Sequence, residues 1–374
     1  MSAMTMRERM LALIQGRPHD RVAFVQYSGI AAPNDEVWAH VGRGRVGLLQ
    51  WCSIHRVESP HCRFEHEDFE RDGQRFRRTT LHTPAGSLVE ERQFEPAYGS
   101  SSIRRHYVQE PSDYDVLIAY LRDGIVMDAY DAYRKVDAGL GDDGLPLPAV
   151  ERTPYQQLWV QWAGLTNLSV HLAECPDKVE AAMELLRQRA RLIFELALRS
   201  PAPFIDFPDN ITAPAIGPER FRHYCVPLYN ELAAMLAERE AYVFVHMDGH
   251  LKPLWDAIGT CGVRGIDSLS PPPDNDTSVA VARAMWPEMR LWVNFPSSCH
   301  LRGYKGARKV AERILEEDAR SGLLQIQVSE NVPRDAWRDS YRAIADAIDA
   351  FAGAKPREIP RQARNDDGHR RRAQ

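Results

Sequence analysis

The segment from Val243 to Gly249, Val-Phe-Val-His-Met-Asp-Gly, is an apolar run that ends in His246 and Asp248. The run predicts a strand buried on both faces, in which a histidine and a carboxylate two residues apart are unexpected. Because side chains alternate along a strand, His246 and Asp248 point to the same side. Such a pair can bind a divalent metal or act as an oriented acid and base. Alternatively, the two residues have no chemical role and only cap the end of the strand.

Polar residues also stand at the carboxyl ends of other predicted strands, and they are more numerous than strand capping requires. They include Asp206, Asp267, Ser268 and Ser329. We expect Glu330, after the last strand, to join His246 and Asp248 in a metal site, because imidazole and carboxylate are ordinary zinc ligands. Mn²⁺, Fe²⁺ or no metal at all remain open. The alternative for Glu330 is a helix cap or an ion pair within the loop.

Other strand-end residues give candidate catalytic and cofactor-binding positions. Together with Asp248, we predict catalytic roles for Asp209 and Asn210 after the fourth strand and for His250 just past the fifth. Asp and Asn also build ordinary turns, and a solvent-exposed or capping position is the alternative for His250. Cofactor contacts are predicted for three further residues, Gln26, Tyr27 and Asn294.

The elements that must position these residues follow from the alternation of short apolar segments with amphipathic ones, which predicts parallel β-strand and α-helix units. The predicted strands lie at 22–27, 48–57, 147–151, 204–207, 242–245, 265–269, 290–295 and 323–328. These strands would close into an α/β (β/α)8 TIM barrel. Because polar residues at the carboxyl ends of barrel strands face the active-site mouth, this fold would bring the candidates together.

The surplus over the length of a barrel lies mostly in residues 58–145, which we predict to be an insertion that covers one mouth. Within it, strand-like segments flank Thr83-Pro-Ala-Gly86, a sequence typical of a β-hairpin turn. Residues 1–354 are expected to form this single barrel domain. The polar, arginine-rich residues 355–374 predict a disordered basic tail.

The composition narrows the classes of partner. A net charge of -5 and an isoelectric point near 6.2 give no general attraction to nucleic acid or to an anionic membrane. The chain has neither a long apolar run nor a secretory signal at its start, so a cytoplasmic location is expected. Six scattered cysteines without a C-x-x-C pair argue against a disulfide framework. A small-molecule partner is therefore expected, and oligomerisation stays open.

The candidate site residues and the sequence around them resemble the uroporphyrinogen decarboxylase superfamily. The resemblance is strongest to its branch of zinc-dependent methyltransferases that act with corrinoid proteins. The opening, Arg7 to Val22, is similar to the first helix and first strand of the family. Residues 83–86 and 106–114 are similar to a segment of the methyltransferase-like members. His246-Met-Asp-Gly249 falls where those members have His-x-Cys-Gly, and Ser329-Glu-Asn-Val-Pro333 falls where they have their last zinc-binding cysteine.

The resemblance covers about residues 6–352 and implies a barrel enzyme with a divalent metal. Asp248 and Glu330 replace the two cysteines, which implies a harder metal site than thiolates give. The arginines with which the decarboxylase holds its tetrapyrrole are absent after the first strand, so uroporphyrinogen decarboxylation itself is not expected. No corrinoid-binding Asp-x-His-x-x-Gly motif is present, so a corrinoid would come with a partner protein.

Three functions therefore compete. The first is metal-dependent transfer of a methyl group from a small molecule or from a corrinoid. The second is a decarboxylase or lyase that acts without metal on a small carboxylated substrate, with Asp209 or Asp248 stabilising positive charge and a histidine donating a proton. The third is a non-catalytic barrel that binds a corrinoid protein or a tetrapyrrole.

Overall fold

The computed structural model describes residues 4–96 and 99–353, whose central element is a closed barrel of eight parallel strands. The predicted tail, residues 355–374, lies outside the described residues. The strands of the chain are β1 (Ala23–Tyr27), β2 (Gly47–Ser53), β3 (His55–Glu58), β4 (Arg63–Arg71), β5 (Gln74–Thr83), β6 (Gly86–Glu95), β7 (Ser100–Arg105), β8 (Ile125–Asp128), β9 (Gly144–Ala149), β10 (Phe204–Phe207), β11 (Tyr242–His246), β12 (Gly265–Leu269), β13 (Arg290–Asn294) and β14 (Leu324–Val328).

The barrel consists of β1, β2 and β9 to β14, each paired in parallel with its neighbour, and β14 pairs with β1 to close it. Helices follow the strands and pack around the barrel, which confirms the predicted TIM barrel. The α-helices are α1 (Met6–Ile14), α2 (Asn34–Val41), α3 (Asp113–Asp123), α4 (Tyr130–Leu140), α5 (Pro154–Gln157), α6 (Gly164–Glu174), α7 (Pro176–Arg199), α8 (Ala213–Arg220), α9 (Val226–Leu236), α10 (Trp255–Thr260), α11 (Val279–Met285), α12 (Gly303–Asp318) and α13 (Trp337–Gly353).

The predicted strand at 48–57 is two strands in the structure, because the chain bends between β2 and β3. The hydroxyl of Ser53 accepts a hydrogen bond from the backbone N–H of His55 and donates one to its carbonyl, which stabilises the bend. Beyond it, β3 leaves the barrel and pairs with β8. The third barrel strand, predicted at 147–151, begins earlier, at Gly144.

The insertion between β2 and β9 contains the predicted hairpin, in which β5 and β6 meet at Thr83 and Gly86. With β4 and β7 these strands form a four-stranded antiparallel sheet. The segment after the sheet packs against the residues that follow β9. The backbone N–H of Val108 donates to the carbonyl of Trp162 at 2.8 Å, and the ring centres of Tyr107 and Trp162 are 5.3 Å apart. The insertion thus contacts the chain on the carboxyl-end side of the barrel.

The barrel interior below its mouth is filled with aromatic rings. The ring centre of Trp292 lies 5.2 Å from that of Phe204 and 4.4 Å from that of Phe244, and all three side chains are fully buried. Met10 of α1 belongs to the same apolar cluster and closes the amino end. Because this floor is packed, the polar residues at the carboxyl ends of the strands can be reached only from the mouth.

Gly265 gives a direct test of this packing. A Cβ atom at this position would overlap the ring of Phe244, so we expect Gly265→Ala to lower the free energy of unfolding by about 1–3 kcal/mol. Gly139→Ala in α4 is the matched control, because a Cβ there meets nothing within 4 Å and should stabilise the helix by roughly 0.5–1 kcal/mol. Urea unfolding of the two variants measures both effects, and equal stabilities would contradict the packing.

Within the part of the chain that the structure describes, no helix combines the length and the apolar character needed to cross a lipid bilayer.

Candidate active site

His246 is the last residue of β11, and its ring lies between two carboxylates. Its Nδ1 is 2.9 Å from Oδ2 of Asp267 on the neighbouring strand β12, and its Nε2 is 3.5 Å from Oδ2 of Asp248. Burial by itself would lower the pKa of His246, but the hydrogen bonds and charges of Asp248 and Asp267 raise it well above its ordinary value. The two carboxylates therefore favour the imidazolium form of His246.

Asp267 is fully buried and holds the ring in place. The hydroxyl of Tyr27 donates to the same oxygen that the ring contacts, and Nε2 of Gln327 donates to the other oxygen at 2.7 Å. Burial, then the negative charge of Asp267, raises the pKa of Tyr27, so that it stays a neutral phenol and a donor. These contacts fix the orientation of the His246 imidazole in the way that carboxylates orient functional histidines.

Asp206 on β10 is a buried carboxyl group without a partner. It alternates with Phe204, whose ring belongs to the interior cluster, so its side chain points into the barrel. The residue is fully buried, and neither carboxyl oxygen has a hydrogen-bond partner. Burial, followed by the negative charge of Asp267, raises the pKa of Asp206 well above its ordinary value. These effects favour the neutral acid form of Asp206, and such an unsatisfied buried group calls for a functional explanation.

Asp248 and Glu330 lie closer to the solvent. The side chain of Asp248 is 32% exposed, and although burial opposes its ionisation, the contact with His246 lowers its pKa. A carboxylate oxygen of Glu330 accepts a hydrogen bond from Ser297. Burial raises the pKa of Glu330, Ser297 opposes this, and the negative charge of Asp248 raises the pKa further. The two carboxylates thus share one neighbourhood, but different partners hold them.

The predicted metal ligands do not come together as one three-ligand centre. His246 Nε2 and Asp248 Oδ2 are 3.5 Å apart, close to the ~3.4 Å that separates two ligands of a tetrahedral zinc ion. The side chain of Glu330 does not join this pair, and its Oε2 accepts a hydrogen bond from the hydroxyl of Ser297. Within residues 4–96 and 99–353, no three His, Cys, Asp or Glu side chains are grouped so that they could hold a metal ion. Coordination would also require a neutral His246, which its two carboxylate neighbours oppose.

Asn294 joins the polar residues at the mouth. Its Oδ1 accepts a hydrogen bond from the hydroxyl of Ser329 at 3.1 Å. Ser329 in turn accepts from the hydroxyl of Ser268 at 2.7 Å, and Ser268 accepts from Nε2 of Gln327 at 3.0 Å. The structure therefore connects Asn294, through this chain of hydrogen bonds, to the residue that holds Asp267. Of the predicted residues, it brings together Tyr27, His246, Asp248 and Asn294.

Asp209 occupies a separate junction. It is fully buried, and its Oδ1 accepts a hydrogen bond from the backbone N–H of Thr153 at 2.9 Å. Its Oδ2 accepts from the hydroxyls of Thr153 and Tyr229. Burial raises the pKa of Asp209, and these donors oppose the rise. Since both oxygens have protein partners, Asp209 ties the segment after β9 to α9.

Tyr229→Phe tests this structural role. The change leaves a buried carboxyl oxygen with one donor fewer, so we expect the free energy of unfolding to fall by about 1–3 kcal/mol. Tyr224→Phe is the control, because the Tyr224 ring stacks on Tyr155 and keeps that contact, and its expected change is within about 0.5 kcal/mol. Urea unfolding gives both values. An activity loss in Tyr229→Phe that exceeds the loss of folded protein would favour a catalytic Asp209.

The structure does not bring the other predicted residues to the His246 ring. Gln26 points outward from β1, where its Oε1 accepts a hydrogen bond from Tyr341 of α13 at 2.9 Å. Asn210 is partly buried, and its carbonyl accepts from Nε2 of Gln156 at 3.4 Å. The side chain of His250 is half exposed, with its Nδ1 3.8 Å from Asp276. His250 thus occupies the exposed position that was the alternative for it.

Sequence reasoning missed two kinds of residue. Gln325 and Gln327 alternate in β14, Leu-Gln-Ile-Gln-Val, and both are fully buried. A polar residue at every second position of a buried strand is the same signal that singles out His246, so the pattern was available. Arg152, just after β9, carries no such signal, because an arginine that follows a strand is ordinary at a surface. Asp206 and Asp267 stood at predicted strand ends without an assigned role.

One family model and one solved structure agree with this architecture. The model of a family described as "Uroporphyrinogen decarboxylase (URO-D)" matches residues 125–324. Among solved structures, a methyltransferase from Methanosarcina mazei is similar with a TM-score of 0.57 and 13% identity, over 93% of this chain and 99% of that one. A chitinase from Chromobacterium violaceum matches with a TM-score of 0.34 and 8% identity, over 90% of this chain and 100% of that one. Curated protein sequences give no match. At 13% identity, the similarity to the methyltransferase concerns the fold.

Proposed function

This chain belongs to the uroporphyrinogen decarboxylase family, and on that premise we propose that it is an enzyme that transfers a methyl group at the mouth of its barrel. The methyl group would come from a small molecule or from a corrinoid that a partner protein carries. One observation carries the proposal: the ring of His246 lies between the carboxylates of Asp248 and Asp267 at the carboxyl ends of the strands, where both favour its protonated form. The fold shared with a methyltransferase supports the choice of reaction as an analogy.

Methyl transfer from a small molecule benefits from a proton donor in this position. The bond between the methyl carbon and its leaving atom breaks, the electron pair stays on the leaving atom, and a nucleophile forms the new bond to carbon. Without a proton, the leaving atom departs as a strong base. In the proposed mechanism the imidazolium of His246 donates a proton or a hydrogen bond to that atom and so stabilises the transition state.

The other residues of the site would position this donor. Asp267, Tyr27 and Gln327 hold the ring in one orientation. Asp248, which is in contact with Nε2, keeps the ring charged before the reaction and yields that side of the ring to the substrate. The aromatic floor around Trp292 excludes water from below, which strengthens the electrostatic interactions in the site.

A divalent metal, zinc first and Mn²⁺ or Fe²⁺ as alternatives, stays a prediction. His246 and Asp248 would be two of its ligands, and Glu330 would be the third only after its side chain moves towards them, because the described residues show no group of three ligands. A metal in this position would supply a Lewis acid for the leaving atom. The arrangement of the side chains favours the imidazolium as the acid, because no third ligand is grouped with His246 and Asp248 among the described residues.

The test uses the purified protein, free cob(I)alamin as the acceptor, and a panel of O-, N- and S-methylated small molecules. We expect one class to methylate the cobalamin, followed by absorbance, and we expect the rate to survive treatment with a chelator whose effect on metal content is checked by elemental analysis. Activity lost on chelation and restored by zinc would make a metal the acid.

Other outcomes would overturn methyl transfer itself. Release of carbon dioxide from carboxylated compounds without methyl transfer would favour the decarboxylase. A complete lack of turnover, together with a tetrapyrrole retained on the purified protein and visible in its absorbance, would favour the non-catalytic binding barrel.

A further inference from the structure

Two buried polar groups of opposite kind lack partners near the mouth. Both carboxyl oxygens of Asp206 are buried without a hydrogen bond, and so is the Nε of Arg152. Buried polar atoms in folded proteins are nearly always hydrogen-bonded, because leaving them unpaired is costly. The proposed mechanism gives neither Asp206 nor Arg152 a role. A ligand that pairs with both groups would explain why they are kept unpaired.

The two groups lie on adjacent segments of the barrel. Asp206 is in register with Ala149, the last residue of β9, and the carbonyl of Asp206 accepts a hydrogen bond from the backbone N–H of Val150 at 3.0 Å. Arg152 follows two residues later on the same segment. Asp206 and Arg152 affect each other electrostatically. Burial lowers the pKa of Arg152, and the negative charges of Asp209, of Asp206 when it is ionised, and of Asp248 oppose this. Because the charge of Asp248 acts on Arg152 and that of His246 acts on Asp206, both groups lie near the His246 site.

The protein does not neutralise Arg152 from within. Both carboxylate oxygens of Asp209 accept hydrogen bonds from Thr153 or Tyr229. Asp248 is in contact with His246. Burial and the nearby negative charge of Asp267 favour the neutral form of Asp206. The guanidinium is thus a partly buried cation: Asp209 and Asp248 have other partners, and among the described residues neither the carboxyl oxygens of Asp206 nor the Nε of Arg152 has a hydrogen-bond partner.

The hydrogen-bonding groups of Arg152 and Asp206 indicate which class of ligand they would bind. A guanidinium presents N–H donors in a planar fork that matches the two oxygens of a carboxylate, and the neutral acid of Asp206 can donate one further O–H. A phosphate dianion would bring more negative charge towards Asp248 and Asp267 than one arginine compensates. A singly charged carboxylate is the better match.

We propose that Arg152 and Asp206 form a subsite for a carboxylate group of the substrate, between the ends of β9 and β10. The proposal rests on the proposed function, for which it names the substrate class: a small methylated carboxylate or a carboxylate methyl acceptor. The ring of Trp51, 42% exposed and 5.4 Å from the ring of Tyr27, provides an apolar wall at the same mouth for the rest of the molecule. The carboxylate would then anchor the ligand beside the His246 ring.

Isothermal titration calorimetry of the full chain tests the subsite without turnover. The probes are acetate, propionate and benzoate, each paired with its neutral amide, and inorganic phosphate. We expect at least one carboxylate to bind, with its amide and phosphate binding at least tenfold more weakly. Arg152→Gln should weaken carboxylate binding by roughly ten- to a hundredfold, the worth of hydrogen bonds to a charged group.

Matched variants separate this effect from misfolding and from general charge. Arg152→Lys keeps the charge but loses the fork, so its affinity should fall less than that of Arg152→Gln. Asp206→Ala removes the O–H donor and should weaken binding, whereas Asp206→Asn keeps a donor and should bind within about threefold of the wild type. Arg199→Gln, at the exposed end of α7, changes the net charge equally and should leave binding unchanged.

Several outcomes would overturn the subsite: no binding of any carboxylate, equal binding of phosphate, or wild-type affinity in folded Arg152→Gln and Arg152→Lys. The result is independent of the methyl-transfer assay. Carboxylate binding that depends on Arg152 in a protein without methyl transfer would support the subsite and reject the proposed function. Methyl transfer by a protein whose carboxylate affinity does not depend on Arg152 would support the proposed function and reject the subsite.

Discussion

Replacement of His246 by glutamine is expected to lower the rate of methyl transfer by roughly 10²–10⁴-fold, the usual contribution of a positioned acid. Glutamine retains a hydrogen-bond donor and similar bulk but cannot carry the charge that Asp248 and Asp267 stabilise. Tyr27→Phe is the matched comparison, because it removes one donor to Asp267 and leaves the acid in place, so its loss should be about tenfold or less. Initial rates at saturating methyl donor measure both changes. Similar losses in the two variants would assign the acid to another group.

The pH dependence of the rate follows from the raised pKa of His246. The pKa of His246 is raised above its ordinary value of 6.5, so the acid form is present at neutral pH and is lost as the pH rises through the folded value. The rate should therefore be level at and below neutral pH and fall at higher pH. The stability contributed by the two carboxylates is complete below the unfolded pKa and disappears over the same rise. A rate that increases with pH instead would indicate a base or a metal ligand.

Trp292→Ala should lower the free energy of unfolding by about 3–5 kcal/mol, because it empties the centre of the barrel. The ring is fully buried and packs on Phe204 and Phe244, so the neighbouring strands cannot close the cavity without moving. Its Nε1 is buried without a partner. Trp292→Phe removes this unsatisfied donor and keeps most of the ring, so its expected cost is below about 1.5 kcal/mol.

Urea unfolding, followed by circular dichroism, measures both variants. A cost below about 1 kcal/mol for Trp292→Ala would contradict the packed floor, and with it the argument that the mouth is the only way to the polar residues. Because Trp292 lies below that mouth, Trp292→Phe should also keep the carboxylate affinity of the wild type.

The sequence by itself determined the fold. The alternation of apolar segments with amphipathic ones is a local pattern, and each of the eight barrel strands lies at or beside a predicted segment. The hairpin at Thr83 and Gly86 follows from turn chemistry, which is also local. His246 and Asp248 were recognised because polar residues in a buried strand contradict that pattern. All these inferences depend only on residue types and on neighbours in the chain.

The tertiary structure decided which strand ends act together. Gln26 and Tyr27 were both predicted to bind a cofactor, but neighbours on a strand point to opposite sides, and only barrel closure determines that Tyr27 faces inward. At Ser268, a left-handed backbone with a φ of +66° and a shift of register alter the alternation along β12, which sequence periodicity does not reveal.

Asp209 and Glu330 show that the sequence also does not reveal which carboxylates find hydrogen-bond partners. Both follow predicted strands and read alike in the sequence, but the first is satisfied by Thr153 and Tyr229 and the second by Ser297. Asp206, which had no assigned role, is the carboxyl group left unpaired. The physical reason is that a hydrogen bond or an ion pair depends on distances of a few ångströms between remote segments, and only the folded chain sets those distances.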